Sequence, residues 1–298
     1  MNILLTGATG FLGSYLLRKL DSLEFNIIAI KRTFSNVERI SDIMDSKNIT
    51  FYDIDDIKIE EIFKENEIDI IIHTATEYGK DSTPIYKILE TNVVLPVRLL
   101  ELGILHRSKF FINTDSYFNK ENSSYSYLLN YSLSKKSLLT WLKYLSNKIK
   151  VVNIVLEHVY GPADNEHKFV EYVTQQIAIN NSDTIGLTHG HQKRDFIYVT
   201  DVIDAYIKII EFAIKNDFHY KTFEVGTGKS IEIKEFVNTI KEVSNSQTVL
   251  DFGQVPYRSD EIMDSKADIS ELARLDWKAT VSLIEGINNI IAYNKRGK

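Results

Sequence analysis

The chain has 298 residues, 44% hydrophobic and 26% charged, with 13 Gly, 4 Pro and no Cys. That composition excludes a disordered or fibrous chain, and the missing cysteines exclude disulfides, thiolate zinc sites, iron–sulfur clusters and a cysteine nucleophile. A net charge of -6, from 35 basic and 41 acidic residues, argues against general binding to nucleic acid.

In chain order, short apolar runs predict strands over 2–6, 26–30, 49–52, 69–73, 109–114 and 151–156. Amphipathic stretches between them predict helices over 11–20, 57–66, 85–102 and 131–145. Strands and helices alternating at this length form βαβ units around a parallel sheet buried on both faces. The expected class is therefore α/β, a doubly wound parallel (Rossmann) sheet that binds ligands beyond the strand carboxyl ends. After Gly161-Pro162 the rhythm changes: 169–180, 202–215 and 233–243 look helical, while 194–199 and 222–226 look extended. Residues 1–158 are expected to form the dinucleotide-binding domain, with some later segments returning to it. Residues 159–298 are expected to form a smaller mixed α/β substrate lobe. No apolar run reaches the roughly 18 residues that span a bilayer, so no membrane partner and a cytoplasmic location are expected.

The first strand runs into Gly7-Ala8-Thr9-Gly10-Phe11-Leu12-Gly13 and then a helix. A turn this tight needs residues without Cβ, and the N–H groups at the helix start then bind a pyrophosphate. The spacing is GxxGxxG rather than the commoner GxGxxG. Gly228-Lys229-Ser230 ends like a triphosphate-binding loop, but that loop needs a glycine where Phe223 stands.

The second strand ends in Lys31-Arg32-Thr33, with no acid to hydrogen-bond a ribose 2′-hydroxyl. A guanidinium accepts a 2′-phosphate with charge-assisted bonds, so NADP(H) is favoured over NAD(H). His189-Gly190-His191 has no evident third ligand, and no metal is expected.

Tyr131 and Lys135 stand four residues apart in the helix after the fifth strand, on one face. A lysine about 4 Å from a phenolate, at an effective dielectric near 20, stabilises it by about 4 kcal/mol, or roughly three pKa units. That would bring the phenol into the range where general acid–base catalysis works. Thr114 supplies a hydroxyl just upstream.

Together these features resemble the extended short-chain dehydrogenase/reductase family of nucleotide-sugar epimerases, dehydratases and reductases. Several ordered segments share that likeness, among them His73-Thr74-Ala75-Thr76, Asp53-Ile54, Phe111-Ile112-Asn113-Thr114-Asp115 and Val159-Tyr160-Gly161-Pro162. Arg194-Asp195-Phe196-Ile197-Tyr198-Val199 and Pro256-Tyr257-Arg258 extend it into the second half. The resemblance implies that Asp53, Ile54, Thr74, Ala75, Thr76, Asn92, Asn113, Leu156 and His158 line the cofactor with the glycine turn, Lys31 and Arg32. It implies a catalytic set of Thr114, Tyr131 and Lys135. Thr76, Thr114, Asp115, Glu157, His158 and Phe169 would meet the sugar, and Arg194 and Arg258 the diphosphate of a nucleotide-diphosphate sugar. Family members dimerise through two helices of the first half, so a homodimer is expected.

Departures narrow the reaction. Family dehydratases follow the catalytic threonine with Asp-Glu, whereas this chain has Thr114-Asp115-Ser116 and lacks the second carboxylate. Segments such as LEHVYGP, QKRDFIYV and FEVGTG resemble a branch that reduces the 4-keto group of nucleotide-linked 6-deoxy or 3,6-dideoxy hexoses with NADPH, for surface polysaccharide synthesis. A 4-epimerase is the alternative within the family, and a non-catalytic NADP-sensing protein the alternative outside enzymes.

Overall fold

A computed structural model describes residues 1–79, 83–120 and 128–296. Six strands of the first half, β1 (Asn2–Thr6), β2 (Asn26–Lys31), β3 (Ile49–Asp53), β4 (Ile70–His73), β5 (Phe110–Ser116) and β6 (Lys150–Leu156), join Tyr220–Val225 in one seven-stranded sheet. Its order from one edge is Tyr220–Val225, β6, β5, β4, β1, β2, β3. β1 pairs in parallel with β2 and β4, β2 with β3, and β4 with β5. The order reverses between β1 and β4, so a crevice opens at their carboxyl ends, where doubly wound sheets bind ligands.

The sheet is apolar on both faces because β1 buries Ile3, Leu4 and Leu5 completely. Alternation turns Leu4, Ile28, Ile71, Phe111 and Val151 towards one face. There α2 (Ile59–Glu65), α4 (Leu95–Leu105) and α5 (Leu129–Leu145) lay Ile62, Leu99, Leu100, Leu138 and Leu142 against them. Each such side chain contributes about 1.5–3 kcal/mol by leaving water. α1 (Phe11–Ser22) buries Leu16, Leu17 and Leu20.

The single helix expected over 85–102 is instead interrupted. α3 (Ile85–Leu89) passes through a π turn, Glu90–Val94, into α4. Pro96 has no N–H, so the carbonyl of Asn92 loses its helical donor and the ladder slips there.

The chain divides into two compact units, the first being Met1–Val155 with Ile207–Phe223 and the second Leu156–Tyr206 with Glu224–Lys298. Tyr220–Val225, which reads as extended in the sequence, thus closes the edge of the first unit's sheet beside β6. The second unit pairs His158–Tyr160 with Phe196–Tyr198, and Thr184–Leu187 with Val249–Phe252, both in parallel. Lys193–Arg194 lies between Ile231–Glu232 and Asp264–Ser265. Its core stacks Phe196 on Phe236 at 4.0 Å, with Tyr160 edge-on to both. Among the described residues no helix is long and apolar enough to cross a membrane.

Candidate active site

At the end of β1, Gly7 has φ +75°, a backbone setting that favours glycine. A Cβ there would lie 2.6 Å from the Ala75 nitrogen, and one on Gly13 would collide with the Gly7 carbonyl. Gly10 donates its N–H to the Gly7 carbonyl at 2.9 Å and caps α1, whose first turn carries no acidic side chain. The Thr74 hydroxyl donates to the Thr6 carbonyl at 2.7 Å, and the Thr6 hydroxyl pairs with His73 Nδ1 at 2.9 Å. The ends of β1 and β4 are thereby tied together across the switch point. Side-chain-free backbone around a helix N-terminus fits a dinucleotide pyrophosphate, with Thr9, Phe11 and Leu12 in the same turn. His73 is fully buried, and burial followed by the Lys135 charge holds its imidazole well below the ordinary value.

At the end of β2, Lys31 donates to Asp53 at 3.1 Å and the Thr33 hydroxyl donates to the same carboxylate at 2.8 Å. Burial works against ionisation of Asp53, but the bonds from Thr33 and Lys31 outweigh it and hold its pKa below the usual value. Lys31 is therefore committed to Asp53, and exposed Arg32 is the cation beside it. Ile54 anchors the turn, its N–H donating to the Lys31 carbonyl at 2.9 Å.

The face shared by Tyr131 and Lys135 points inward, leaving them 4% and 3% exposed. Tyr78 stacks on the Tyr131 ring at 4.9 Å, and Phe118 meets it edge-on at 6.2 Å. The Lys135 ammonium donates to the Thr114 carbonyl at 2.9 Å and lies 5.9 Å from the Tyr131 ring centre. The expectation that lysine depresses the phenol gives way to the opposite direction in this chain. Burial, then the neighbouring Tyr78 and Asp115 groups, push the Tyr131 pKa well above the ordinary value of 10. Burial also brings Lys135 down to about 8, against the opposing pull of Asp115.

Several residues expected to touch ligand have side chains placed otherwise. Asn92, set inward by the π turn, accepts from Glu77 N at 2.8 Å and donates to the Glu77 carbonyl and Ser134 Oγ at 2.8 and 2.9 Å. It therefore holds the segment after β4 in place, including Thr76, whose hydroxyl donates to it at 3.3 Å. Asn113 and Asp115 share the face of β5 that carries Phe111. Asn113 donates to Asn153 at 2.7 Å, and Asp115 accepts from Asn153, Asn119 and Ser116 N at 3.0, 2.7 and 2.9 Å. Burial raises the Asp115 pKa above the usual carboxylate value, although Lys135 and these bonds oppose it. Strand alternation is the reason: side chains two apart share a face, so Thr114 and Ser116 lie on the opposite one.

In the second unit Glu157 is 4% exposed and accepts from Ser265 Oγ at 3.0 and 2.9 Å, a structural use rather than a sugar contact. His158 is held well below its ordinary pKa by burial and by the charges of Arg194 and Lys168. Leu156 ends β6, buried, and Phe169 is half-exposed against Phe236. Arg194 is buried, bonded to Glu261 and to the Ile262 carbonyl, and donates to the Lys193 carbonyl at 2.8 Å. Asp195 is not its partner. Both Asp195 oxygens are occupied by Thr227 N (2.8 Å), Thr227 Oγ1 (2.6 Å), Gly228 N (2.9 Å) and Ala267 N (3.1 Å). Gly228 in the GKS segment thus serves a carboxylate of its own chain. Arg258 is exposed on the segment that carries Glu261.

Ser116 escaped the sequence reading, where it counted only as a missing glutamate. Its hydroxyl is the neighbour that acts to lower the Tyr131 pKa, against burial. The signal that could have found it is its position two residues beyond Thr114 on one strand.

A sequence profile described as the NAD dependent epimerase/dehydratase family matches residues 3–226. The chain belongs to this family. Among epimerase/dehydratase relatives, CDP-abequose synthase of Salmonella muenchen is 40% identical over 294 residues, covering 97% of each chain. The solved UDP-glucose 4-epimerase of Thermotoga maritima, with UDP-glucose, has a TM-score of 0.85 at 23% identity, covering 100% of this chain and 99% of that one. The UDP-glucuronic acid 4-epimerase of Bacillus cereus, in complex with UDP-glucuronic acid and NAD, has a TM-score of 0.85 at 22% identity, covering 100% of each chain. These two establish the epimerase/dehydratase fold.

Proposed function

We propose that this chain, a nucleotide-sugar oxidoreductase of the epimerase/dehydratase family, reduces the C4 ketone of a CDP-linked 4-keto-3,6-dideoxyhexose with NADPH. The observation that carries the reading is the 40% identity, end to end, with CDP-abequose synthase. The intact Thr114, Tyr131 and Lys135 set supports it.

The glycine turn, Thr74, Ala75 and Thr76 would hold the dinucleotide, with Arg32 on its 2′-phosphate. Lys31 supports NADP over NAD indirectly, by offsetting the charge of Asp53 beside that position. When bound, the reduced nicotinamide supplies a hydride to C4. Tyr131 gives its proton to the carbonyl oxygen as negative charge builds there. Thr114 donates a hydrogen bond to the same oxygen, and Lys135 supplies positive charge behind both. Arg194 and Arg258 bind the diphosphate, for which Arg194 exchanges Glu261 for phosphate oxygens.

Exposed Leu129, Leu133 and Trp141 on α5, with Tyr86 and Val94 along α3–α4, support a homodimer through these helices. A cytoplasmic site of action follows from where NADPH and sugar nucleotides are made. Purified protein should oxidise NADPH when a CDP-linked 4-keto-3,6-dideoxyhexose is added, and should use NADH much less well. No turnover with that ketosugar overturns the proposal, and NAD retained through purification would favour a 4-epimerase.

A further inference from the structure

Two segments from different strands bring aromatic rings to the Tyr131 ring. Tyr78, beyond β4, stacks on it at 4.9 Å with 29° between the planes. Phe118, in the turn Tyr117–Asn119 after β5, meets it edge-on at 6.2 Å, and Tyr117 packs on Phe118 at 4.2 Å. Tyr78 and Phe118 are themselves half-buried, so each keeps open surface beside the acid.

Each ring is pinned by a buried polar side chain. Asn92, fully buried, accepts from Glu77 N and donates to the Glu77 carbonyl, both at 2.8 Å. Glu77 Oε1 in turn accepts from Gly79 N at 3.0 Å, so the backbone is held on both sides of Tyr78. Asp115, also buried, accepts from Asn119 Nδ2 at 2.7 Å, and Ser116 Oγ accepts from Phe118 N at 3.4 Å. Rings held by such partners form a wall that is set before a ligand arrives.

A proton passing from Tyr131 to the C4 oxygen needs the two oxygens about 3 Å apart. The carbons bonded to C4 are C3 and C5, so their substituents come within reach of rings packed about the phenol. A hydroxyl on C3 stands one bond nearer to C4 than an oxygen on C6. Aromatic carbon offers that hydroxyl no strong partner, and a hydroxyl stripped of water without one is disfavoured. A methylene at C3 gains by the same burial.

We infer that Phe118 and Tyr78 are specificity-determining residues, whose ring surfaces select a 4-ketosugar lacking oxygen at C3 over one with a hydroxyl there. This rests on the reduction proposed above and assigns its deoxygenated carbon to two side chains. An apolar wall rejects an added hydroxyl by about 100-fold at most, which bounds the effect.

The test uses the full chain with NADPH and two substrates that differ only at C3. One is the CDP-linked 4-keto-3,6-dideoxyhexose, the other the CDP-linked 4-keto-6-deoxyhexose that keeps the C3 hydroxyl. Wild-type kcat/KM should favour the first by roughly 10- to 100-fold. Phe118→Gln and Tyr78→Gln supply amides that can pair with the hydroxyl, and each should lower that ratio at least about fivefold. Phe118→Leu and Tyr78→Phe keep the wall apolar and should hold the ratio within about twofold. Loss of folded protein or weaker NADPH binding acts on both substrates alike and leaves the ratio unmoved. Equal use of the two substrates by wild-type protein would overturn the inference. So would an unchanged ratio in the Gln variants, or Leu and Phe variants as relaxed as these. Wild-type protein that turns over neither ketosugar would overturn the proposed function instead, so the two failures are distinguishable.

Discussion

Asp115 in the first compact unit and Asp195 in the second are both almost fully buried, yet they collect different partners. Asp115 takes its hydrogen bonds from side-chain amides and its neighbour's N–H, close to Lys135 and Tyr131. Asp195 takes most of its bonds from main-chain N–H groups of loops at 227–228 and 267, far along the chain. The first carboxylate sits among titratable groups and sets their charge. The second ties loops from distant parts of the chain together, and a Cβ on Gly226 would collide with it. One buried carboxylate stands beside ionisable side chains and the other ties backbone segments together.

That contrast makes definite predictions. Asp195→Ala strands several buried donors and should cost about 3–5 kcal/mol, read as a lower urea midpoint with proportionate loss of soluble protein. A loss below about 1 kcal/mol would remove the distinction between the two sites. Tyr131→Phe, in the other unit, should reverse the pattern, with kcat down at least about a hundredfold and the midpoint almost unchanged. Asp115→Asn removes the negative charge that raises Lys135. The alkaline fall in activity should then begin below the pH of about 8 at which Lys135 loses its proton, and an unchanged pH–rate profile would disconnect the two residues.

The smallest effect concerns the buried imidazoles, one in each unit. His73 and His158 both have folded pKa values well below 6.5. The unfolded chain therefore takes up their protons first. Stability from each is fully present above about pH 6.5 and falls as pH drops, by at most about 1.4 kcal/mol per pH unit for each group. His73→Gln should flatten the dependence of the urea midpoint between about pH 7 and pH 5, and so should His158→Gln. A steeper slope in either variant would contradict its neutral burial.

The alternation of β1 to β6 with their helices is legible in the sequence because hydrophobic period and glycine placement are local properties. That Tyr131 and Lys135 share one helix face follows from spacing for the same reason, whereas their burial does not. The π turn was within reach, since Pro96 stands inside the expected helix, but its effect is to rotate Asn92 inward, which periodicity does not register. The direction of the Tyr131 shift was not legible, because it depends on how much water the folded site removes and on Lys135 turning to a carbonyl. Glu157, Asp195 and Arg194 depend on partners 32 to 108 residues away, and no sequence window contains such pairs. Ser116 lay in view, read as an absence instead of a hydroxyl.

The placement of Tyr220–Val225 at the end of the main sheet bears on how the protein is made. Until that segment leaves the ribosome, β6 is an open edge in which Val151, Val152, Ile154 and Val155 flank the single polar Asn153. Such an edge is a template for pairing with other chains. The nascent protein must therefore synthesise all of its second unit's first segment, Leu156–Tyr206, before its first unit can be sealed. Slow translation between 157 and 219 would prolong the interval in which newly made chains associate with one another.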